Sequence, residues 1–401
     1  MIHYKFDFGP GTAAEGYTGV LPDTLYNTEL GYGFESIDRV YGRDRSQEQM
    51  EPTSSRNTST IKKQLQDRFC IPLHAAFILD VPPGTYRVHT LMGDENTESI
   101  TEIRAGEGRL MLPPVHTQPG QWIEENFSVV VRAGEPLRLS FSGAAPRINA
   151  FEVMEANTTL TVYIAGDSTV CDQPASGYPY AGWGQMIPSF FKHDVAVDNH
   201  AHSGRSTKSF IDEGRLDAIL STIKAGDFLF IQFGHNDEKS DVQRGTKPFT
   251  TYQEYLSKYI NAAREHEAHP VLITPVQRRY FHEDGTLMDT HGDYIVAMKE
   301  LAEKENVPLI DLAARSKIVF EQAGVEGSKL DFLWAWPGEY IHFPAGVEDN
   351  THFSQFGAKR MARIVAASIS ELAIHPLTMF LRSPETLIFD RMKMRENSFE
   401  G

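Results

Sequence analysis

A serine follows directly on the first apolar run of the second half of the chain. In TVYIAGDSTV (161–170) this run leads into Gly166, Asp167 and Ser168. A serine hydroxyl is a weak nucleophile and needs an adjacent base to take its proton. Gly-Asp-Ser by itself is also ordinary turn chemistry at the end of a strand. Whether Ser168 is a nucleophile therefore depends on what the other segments supply.

A base and its orienting carboxylate are predicted in the segment EDNTHFS (348–354). An imidazole takes the proton of a nucleophilic serine, and a carboxylate holds that imidazole in the required tautomer. Of the 15 histidines, only His352 has an aspartate, Asp349, three residues earlier. The pattern Asp-x-x-His is weak alone, but here it lies just before the last predicted helix. We predict His352 as the base and Asp349 as its orienter.

Hydrogen-bond donors for an oxyanion are predicted after two further apolar runs. A tetrahedral intermediate needs fixed N–H donors, which a glycine turn and an asparagine amide supply. Gly204 lies in NHAHSGRSTKS (199–209), and Asn236 lies in FIQFGHND (230–237). The predicted oxyanion hole consists of the backbone N–H groups of Ser168 and Gly204 and the side chain of Asn236. His235 is interpreted as a structural residue that holds the loop presenting Asn236.

The spacing of the apolar runs predicts the elements that bring these residues together. From residue 160 onward, short strands alternate with helical patterns, which favours a parallel sheet covered on both faces. Ligands of such sheets bind at the carboxyl ends of the strands, where all the candidate residues lie. The predicted strands cover 160–165, 194–198, 227–233, 270–275 and 307–311.

Two helix starts are predicted in the second half. Thr251 and Glu254 have the spacing of a capping box ahead of one apolar helix face. Ser354 is predicted to cap the final helix, whose buried side carries apolar residues at helical spacing.

The first half of the chain has a different period. Short β-rich runs separated by Pro-Gly and Ala-Gly turns predict an all-β sandwich over residues 1–157, followed by an α/β catalytic domain over 158–401. The polar residues 44–66 are predicted to form a long loop. The tail, residues 381–401, alternates enough for a strand or short helix but has no predicted place.

Composition limits the possible partners. With 38 Lys and Arg against 54 Asp and Glu, the 401 residues carry a net charge of −16, which disfavours nucleic acid and anionic membranes. Two cysteines are too few for a disulfide framework, and the N-terminal MIHYKFDFGPG has no signal-peptide pattern, so a cytoplasmic location is expected. No metal-binding spacing is apparent, and no cofactor is predicted. The oligomeric state is left open.

The order Ser168, Gly204, Asn236, Asp349-x-x-His352 resembles the SGNH (GDSL) hydrolase superfamily over about residues 158–375. The segments AGDSTV, GWGQMI, SGRSTKSF, FGHND, TPVQRR, HGDY and EDNTHFSQFGA are similar to its rhamnogalacturonan acetylesterase branch. The resemblance implies a flavodoxin-like α/β fold, catalysis without metal and removal of acetyl groups from pectic rhamnogalacturonan. The first half is similar to galactose-binding-like β-sandwiches through FDFG, VPPGTYRV and LRLSFSG…INAFEV.

Candidate substrate-binding residues follow from this expectation. Trp183, Trp336 and Tyr340 offer rigid faces on which a sugar ring stacks, with burial of Trp183 in the core as the open alternative. Arg278 and Arg279 are candidates for bidentate hydrogen bonds to a galacturonate carboxylate, with structural ion pairs as the alternative.

The sequence thus predicts a serine carbohydrate esterase that removes O-acetyl groups from pectic rhamnogalacturonan oligosaccharides through an acyl-enzyme. Acetylated xylan or other glycans remain an alternative substrate, because the catalytic residues would be identical. A GDSL lipase or thioesterase is a second alternative, although residues 277–292 and 331–349 do not indicate a long apolar acyl channel. A non-enzymatic carbohydrate-binding protein is disfavoured, because every member of the triad is present.

Overall fold

Two facing β-sheets form the first part of the chain. The computed structural model describes residues 2–46 and 60–383. Thirteen strands and one helix precede residue 156 in these residues: β1 (His3–Phe8), β2 (Thr18–Val20), β3 (Tyr32–Phe34), β4 (Val40–Asp44), α1 (Thr60–Asp67), β5 (Arg68–Pro72), β6 (Ala75–Leu79), β7 (Gly84–Asp94), β8 (Ser99–Ala105), β9 (Arg109–Leu110), β10 (Val115–Thr117), β11 (Gln121–Val131), β12 (Leu137–Ser142) and β13 (Ala150–Glu155).

The predicted β-sandwich is confirmed by the order of these strands. One sheet runs β11-β7-β13-β1-β2 and the other β10-β8-β12-β6-β3, with β9 beside β8 and a separate β4-β5 pair. All neighbours in the two sheets are antiparallel except β1 and β2. Along β12, buried Leu137, Leu139 and Phe141 alternate with partly exposed residues, as expected when one sheet face covers a core. Aromatic contacts such as Phe8–Phe77, 5.2 Å between ring centroids, fill that core.

The predicted loop over residues 44–66 is partly wrong. Residue 44 ends strand β4, and α1 covers the end of the predicted loop, while residues 47–59 lie outside the described residues. Leu65 of α1 is buried against Ala14, Leu91 and Ala150. One buried leucine anchors this polar helix through contacts distant in sequence, so the local pattern could not reveal it.

The second part of the chain alternates strands and helices. Its strands are β14 (Leu160–Gly166), β15 (Tyr180–Ala181), β16 (Val195–Asn199), β17 (Phe228–Gln232), β18 (His269–Ile273), β19 (Leu309–Ile310), β20 (Phe332–Ala335) and β21 (Val347–Ser354). Its α-helices are α2 (Trp183–Met186), α3 (Thr207–Asp212), α4 (Arg215–Leu220), α5 (Gln253–Glu265), α6 (Asp293–Glu305), α7 (Leu312–Gly327) and α8 (Gln355–Glu371). Short 3-10 segments lie at Ala175–Gly177, Ile187–Phe190, Ser328–Leu330 and Leu377–Phe380.

Five of these strands form the predicted parallel sheet, in the order β16-β14-β17-β18-β19. In chain order this is 2-1-3-4-5, the doubly wound flavodoxin-like arrangement, whose ligands bind where the order reverses. That point lies between β14 and β17. Val162 and Ile164 pack on one face with α8, and Tyr163 and Ala165 pack on the other with α5. The predicted three-layer α/β fold is therefore confirmed.

Of the two predicted helix starts, one is confirmed and one is wrong. The Ser354 hydroxyl accepts a hydrogen bond of 3.2 Å from Gly357 N and caps α8. Thr251 lies inside a π-helical turn, Pro248–Tyr252, that leads into α5, and its hydroxyl accepts from Lys247 N. Proline is favoured in the first turn of a helix, and Pro248 moves the start upstream of the expected capping box.

Side chains of the sandwich reach into the α/β part. Leu110 of β9 lies in the same apolar core as Val162 and Ile164. Its neighbour Arg109 donates a hydrogen bond of 3.2 Å to the Val197 carbonyl. Arg132 of the sandwich donates through Nε to Asp198 at the end of β16, over 2.9 Å. The two parts therefore share a polar and apolar interface.

Three remaining features bear on the sequence predictions. Cys70 and Cys171 are both buried and unpaired. In residues 2–46 and 60–383, no helix has the length and apolar character required to cross a bilayer. Of the C-terminal tail, residues 384–401 lie outside the described residues, while Arg382 donates to Glu125 of the sandwich over 3.0 Å.

Candidate active site

The turn that carries Ser168 begins where β14 ends. Asp167 is fully buried and organises the turn, because its Oδ1 accepts from both the N–H (2.9 Å) and the hydroxyl (2.8 Å) of Thr169. Its carbonyl accepts from Val170 N and Cys171 N, at 3.1 and 3.0 Å. A short polar side chain therefore closes this turn where the strand leaves the sheet.

His352 and Asp349 lie on β21, just before α8, and reach Ser168 from the other end of the sequence. The Ser168 Oγ lies 2.9 Å from Nε2 of His352, and Nδ1 of His352 lies 2.7 Å from Oδ2 of Asp349. The second oxygen of Asp349 accepts from the main-chain N–H groups of Thr351 and His352. The three side chains thus form one hydrogen-bonded chain with the order expected for a nucleophile, base and orienting carboxylate.

The electrostatics of Asp349 suit that arrangement. Burial alone would raise the pKa of this carboxyl, but the hydrogen bonds from the ring and backbone of His352 outweigh burial and hold the pKa below its usual value. An ionised Asp349 accepts the Nδ1 proton of His352 and leaves Nε2 free to accept the proton of Ser168.

The candidate oxyanion donors lie on the loops after β16 and β17. Gly204 has φ +81°, a left-handed conformation that favours glycine. Asn236 is buried, and its Nδ2 donates to the Arg205 carbonyl over 3.1 Å, which leaves one N–H of the amide for another acceptor. Within residues 2–46 and 60–383, neither Ser168 N nor Gly204 N donates to a protein acceptor.

Buried polar contacts hold these loops against one another. His235 Nδ1 lies 3.2 Å from Oδ2 of Asp167, so the residue before Asn236 is joined to the residue before Ser168. Asp237 accepts from the N–H of Thr207 at 3.1 Å, which joins the loop after β17 to the start of α3. The interpretation of His235 as a residue that holds this loop agrees with these contacts.

Trp183 does not fit its predicted role in stacking a sugar. Its ring is 0% exposed, within the core beneath the parallel sheet, and its Nε1 donates to Gln232 over 2.7 Å. A side chain with no exposed face offers no surface to a substrate.

Arg278 and Arg279 likewise do not fit the predicted carboxylate contact. Arg278 is paired with Glu238 at 2.9 Å and donates to the Thr290 and His235 carbonyls. Arg279 is 6% exposed, donates to Ser328 Oγ over 3.1 Å and stacks its guanidinium 4.8 Å from the centre of the Trp334 ring. Arg278 thus makes the structural ion pair that was the alternative, and Arg279 is held by hydrogen bonds and by the Trp334 ring.

Trp336 and Tyr340 lie on the segment between β20 and β21. Trp336 is 78% exposed, and the Tyr340 ring makes an edge contact with Tyr178, 5.7 Å between centroids. Both residues are thus available to a ligand near the strand that carries His352, and their role in sugar binding stays a prediction.

Tyr180 is a site residue that the sequence reasoning missed. Its hydroxyl donates to the Ser168 carbonyl over 3.0 Å, and its ring packs edge-on against His352, 5.1 Å between centroids. β15 places it there by pairing Tyr180 with Ser354 on β21. No local pattern in GYPYAGWG signals this pairing, because it joins segments 174 residues apart.

The arrangement supplies every group that acyl transfer needs. The candidate nucleophile and the candidate N–H donors follow the parallel strands β14, β16 and β17, and the candidate base and its carboxylate come from β21 of the antiparallel sheet β15-β21-β20. In the part of the chain that the structure describes, no group of three or more His, Cys, Asp or Glu side chains is placed to hold a metal ion.

Comparisons with known proteins match both parts of the chain. Residues 164–360 match the GDSL-like lipase/acylhydrolase family, and residues 4–108 match the β-agarase/YxiM esterase-like, galactose-binding domain-like family. The chain is 50% identical over 226 residues to rhamnogalacturonan acetylesterase RhgT of Bacillus subtilis (strain 168), which covers 56% of this chain and 96% of RhgT.

A further relative aligns with both parts of the chain, the sandwich and the α/β part. The chain is 28% identical over 382 residues to the uncharacterized esterase YxiM of Bacillus subtilis (strain 168), which covers 92% of this chain and 91% of YxiM. The crystal structure of YxiM covers 93% of this chain and 99% of its own, with 26% identity and a TM-score of 0.48. The two family matches and the two relatives, RhgT and YxiM, confirm the predicted resemblance of each half.

Proposed function

Because the chain belongs to the GDSL-like lipase/acylhydrolase family, we propose that it is a serine carbohydrate esterase that removes O-acetyl groups from pectic rhamnogalacturonan oligosaccharides. One observation carries the proposal. Oγ of Ser168, Nε2 of His352 and the carboxylate of Asp349 form a continuous hydrogen-bonded chain with distances of 2.9 and 2.7 Å.

The first half of the reaction forms an acetyl-enzyme. Oγ of Ser168 attacks the acetyl carbonyl carbon while its proton passes to Nε2 of His352. The carbonyl oxygen becomes an oxyanion that accepts from the N–H groups of Ser168 and Gly204 and from Asn236. The bond between the carbonyl carbon and the sugar oxygen then breaks, and the sugar oxygen leaves with the proton held by His352.

The second half releases acetate. His352 takes a proton from a water molecule, whose oxygen attacks the acetyl carbonyl carbon of the ester on Ser168. The second oxyanion uses the same donors. Collapse of this intermediate breaks the bond to Oγ, which recovers its proton from His352, and acetic acid leaves and ionises in water.

The names of the relatives support a carbohydrate substrate. The proposal goes further and names a pectic carbohydrate. The relative that shares 50% identity is named a rhamnogalacturonan acetylesterase, and a second, 44% identical over 218 residues, is named a probable one. The exposed Trp336 and the partly exposed Tyr340 supply faces on which a sugar ring stacks.

The substrate assignment is tested by comparing acetate release from three esters. Acetylated rhamnogalacturonan oligosaccharides, acetylated xylo-oligosaccharides and a medium-chain fatty acid ester are incubated with equal amounts of the protein. We expect kcat/KM to be largest for the pectic substrate. Equal or faster turnover of the xylan substrate or the fatty ester would overturn the pectic assignment.

A further inference from the structure

An open cleft lies beside Gly204. Its volume is about 450 Å³, and most of the residues that line it are charged or polar. The residues that line it are Gly204, Arg205, Ser209, Glu213, Asp241, Gln243 and Arg244. We propose that this cleft binds the carboxylate of a uronic acid residue in the oligosaccharide substrate, with Arg205 and Arg244 as the binding side chains; this proposal rests on the proposed function.

The guanidinium groups in the cleft retain free donors, unlike those of Arg278 and Arg279. Arg244 uses Nε and Nη2 to bind Asp241, at 3.0 and 2.8 Å, and its side chain is 37% exposed. Arg205 uses Nε on Glu213 and Nη1 on the Ser203 carbonyl. Among the described residues, Nη1 of Arg244 and Nη2 of Arg205 have no protein acceptor. Each arginine can therefore donate to an incoming carboxylate without breaking its existing pair.

The local charge favours an anion. Arg205 and Arg215 both lie 2.9 Å from the same oxygen, Oε2 of Glu213, so two cations share one carboxylate. On the opposite wall the charge of Arg244 is balanced by Asp241, and Lys208 reaches the Val242 carbonyl beside it. The charged residues that line the cleft, Arg205 and Arg244 against Glu213 and Asp241, balance one another, and the neighbouring Arg215 and Lys208 add two positive charges outside the lining, in a chain whose net charge is −16. Because salt screens charges that are farther away than about 8 Å, the charges near the cleft, and not the net charge of the chain, decide the electrostatic potential that a ligand meets there.

The cleft borders the proposed oxyanion hole at Gly204, which is one of its lining residues. Arg205 directly follows Gly204, one of the proposed oxyanion donors, and its carbonyl accepts the hydrogen bond of Asn236. A uronic acid carboxylate on the acetylated ring or on its neighbour is one or two sugar rings away from the scissile ester. The carboxylate contact would thus hold the ester against the oxyanion donors and favour acidic over neutral glycans.

Binding measurements test this subsite independently of catalysis. Titration calorimetry is carried out with a non-acetylated rhamnogalacturonan oligosaccharide and with the same oligosaccharide after its carboxyl groups are reduced to alcohols. We expect the acidic form to bind about tenfold more tightly, the difference of one charged hydrogen-bonded contact. Arg244→Gln should abolish that preference, and Asp241→Asn, which removes a competing carboxylate, should increase it. Equal affinity for the two forms in the unaltered protein would overturn the proposal.

A matched control separates the subsite from a general loss of charge. Arg264 is 42% exposed in its side chain and pairs with Glu305 at 3.1 Å, outside the cleft. Arg264→Gln removes the same charge and should keep the preference for the acidic form. If it abolishes the preference as Arg244→Gln does, the effect is long-range and the proposed contact is wrong. Failure of the unaltered protein to release acetate from any ester would instead overturn the proposed function and leave this binding test intact.

Discussion

Arg279 Nη1 donates a hydrogen bond of 2.8 Å to Oδ1 of Asn350, the residue that follows Asp349. The main chain makes a second contact, because Arg279 N donates to the Asn350 carbonyl over 2.8 Å. Two hydrogen bonds therefore join the loop after β18 to the strand that carries Asp349 and His352. We therefore expect Arg279, which the sequence suggested as a substrate contact, to position the proposed base His352.

Arg279→Lys is predicted to lower kcat by about 10- to 100-fold with little change in KM. A lysine ammonium is a point donor and cannot hold Asn350 and Ser328 together with a planar fork. A small displacement of His352 from Ser168 is costly because the reacting atoms must be aligned. The measurement is steady-state kinetics on an acetylated oligosaccharide.

Arg264→Lys is the control for that variant, since Arg264 makes a surface ion pair with Glu305. It should leave kcat unchanged. If Arg279→Lys lowers only the melting temperature and retains full kcat while folded, Arg279 has a structural role and does not position the base.

Asn236→Ala is predicted to reduce kcat by roughly 10²–10³-fold. The lost amide is one of three proposed oxyanion donors, and removal of one such donor costs about that much because it acts mainly in the transition state. Kinetics with an activated aryl acetate measure the effect. A loss smaller than fivefold would mean that Asn236 does not contact the oxyanion.

Asp349→Asn is predicted to reduce kcat by roughly 10³–10⁴-fold. The amide keeps the shape of the carboxylate but removes the charge that stabilises the protonated ring of His352 and can hold the wrong tautomer. Glu348→Gln, at the exposed neighbouring position, removes the same charge and is the control; it should leave kcat nearly unchanged. Comparable losses in the two variants would remove Asp349 from the triad.

Asp237→Asn is predicted to weaken the fall of stability with rising pH. Burial raises the pKa of Asp237 to about 8, so the folded protein keeps a proton there that the unfolded chain releases above about pH 4. The folded state then binds more protons, and this group makes the free energy of unfolding fall as pH rises from about 4 to 8.

Urea unfolding of both proteins at several pH values between 5 and 8 measures this effect. Relative to the unaltered protein, Asp237→Asn should gain stability as the pH increases, since asparagine has no proton to lose. Asp212→Asn, at an exposed aspartate, is the control and should follow the unaltered protein. Parallel curves for Asp237→Asn and the unaltered protein would contradict the raised pKa.

The sequence predicted the part of the site that parallel-sheet geometry determines. Ser168, Gly204 and Asn236 each follow an apolar run, and the carboxyl ends of adjacent parallel strands must meet at one edge. His352 lies on β21 of the antiparallel sheet β15-β21-β20, and it was predicted from a different signal, the Asp-x-x-His spacing ahead of a capped final helix. These positions depend on chain order and strand period, both of which are local signals.

Side-chain partners from distant segments could not be read in this way. Arg279 meets Asn350 from 71 positions away, and nothing in TPVQRR distinguishes an arginine held inside the protein from one open to a ligand. Trp183 is buried because α2 packs beneath α8 and the sheet. The four residues of α2 carry no local pattern that predicts this tertiary contact. Tyr180 reached the site only through the pairing of β15 with β21.

The most direct test of the central claim is acetate release by Ser168→Ala beside the unaltered protein. Both are incubated with acetylated rhamnogalacturonan oligosaccharides, after circular dichroism has shown that both are folded. We predict that kcat falls by roughly 10⁶-fold, because no other group replaces the nucleophile. Retention of more than a few per cent of the activity would contradict the acyl-enzyme mechanism at Ser168.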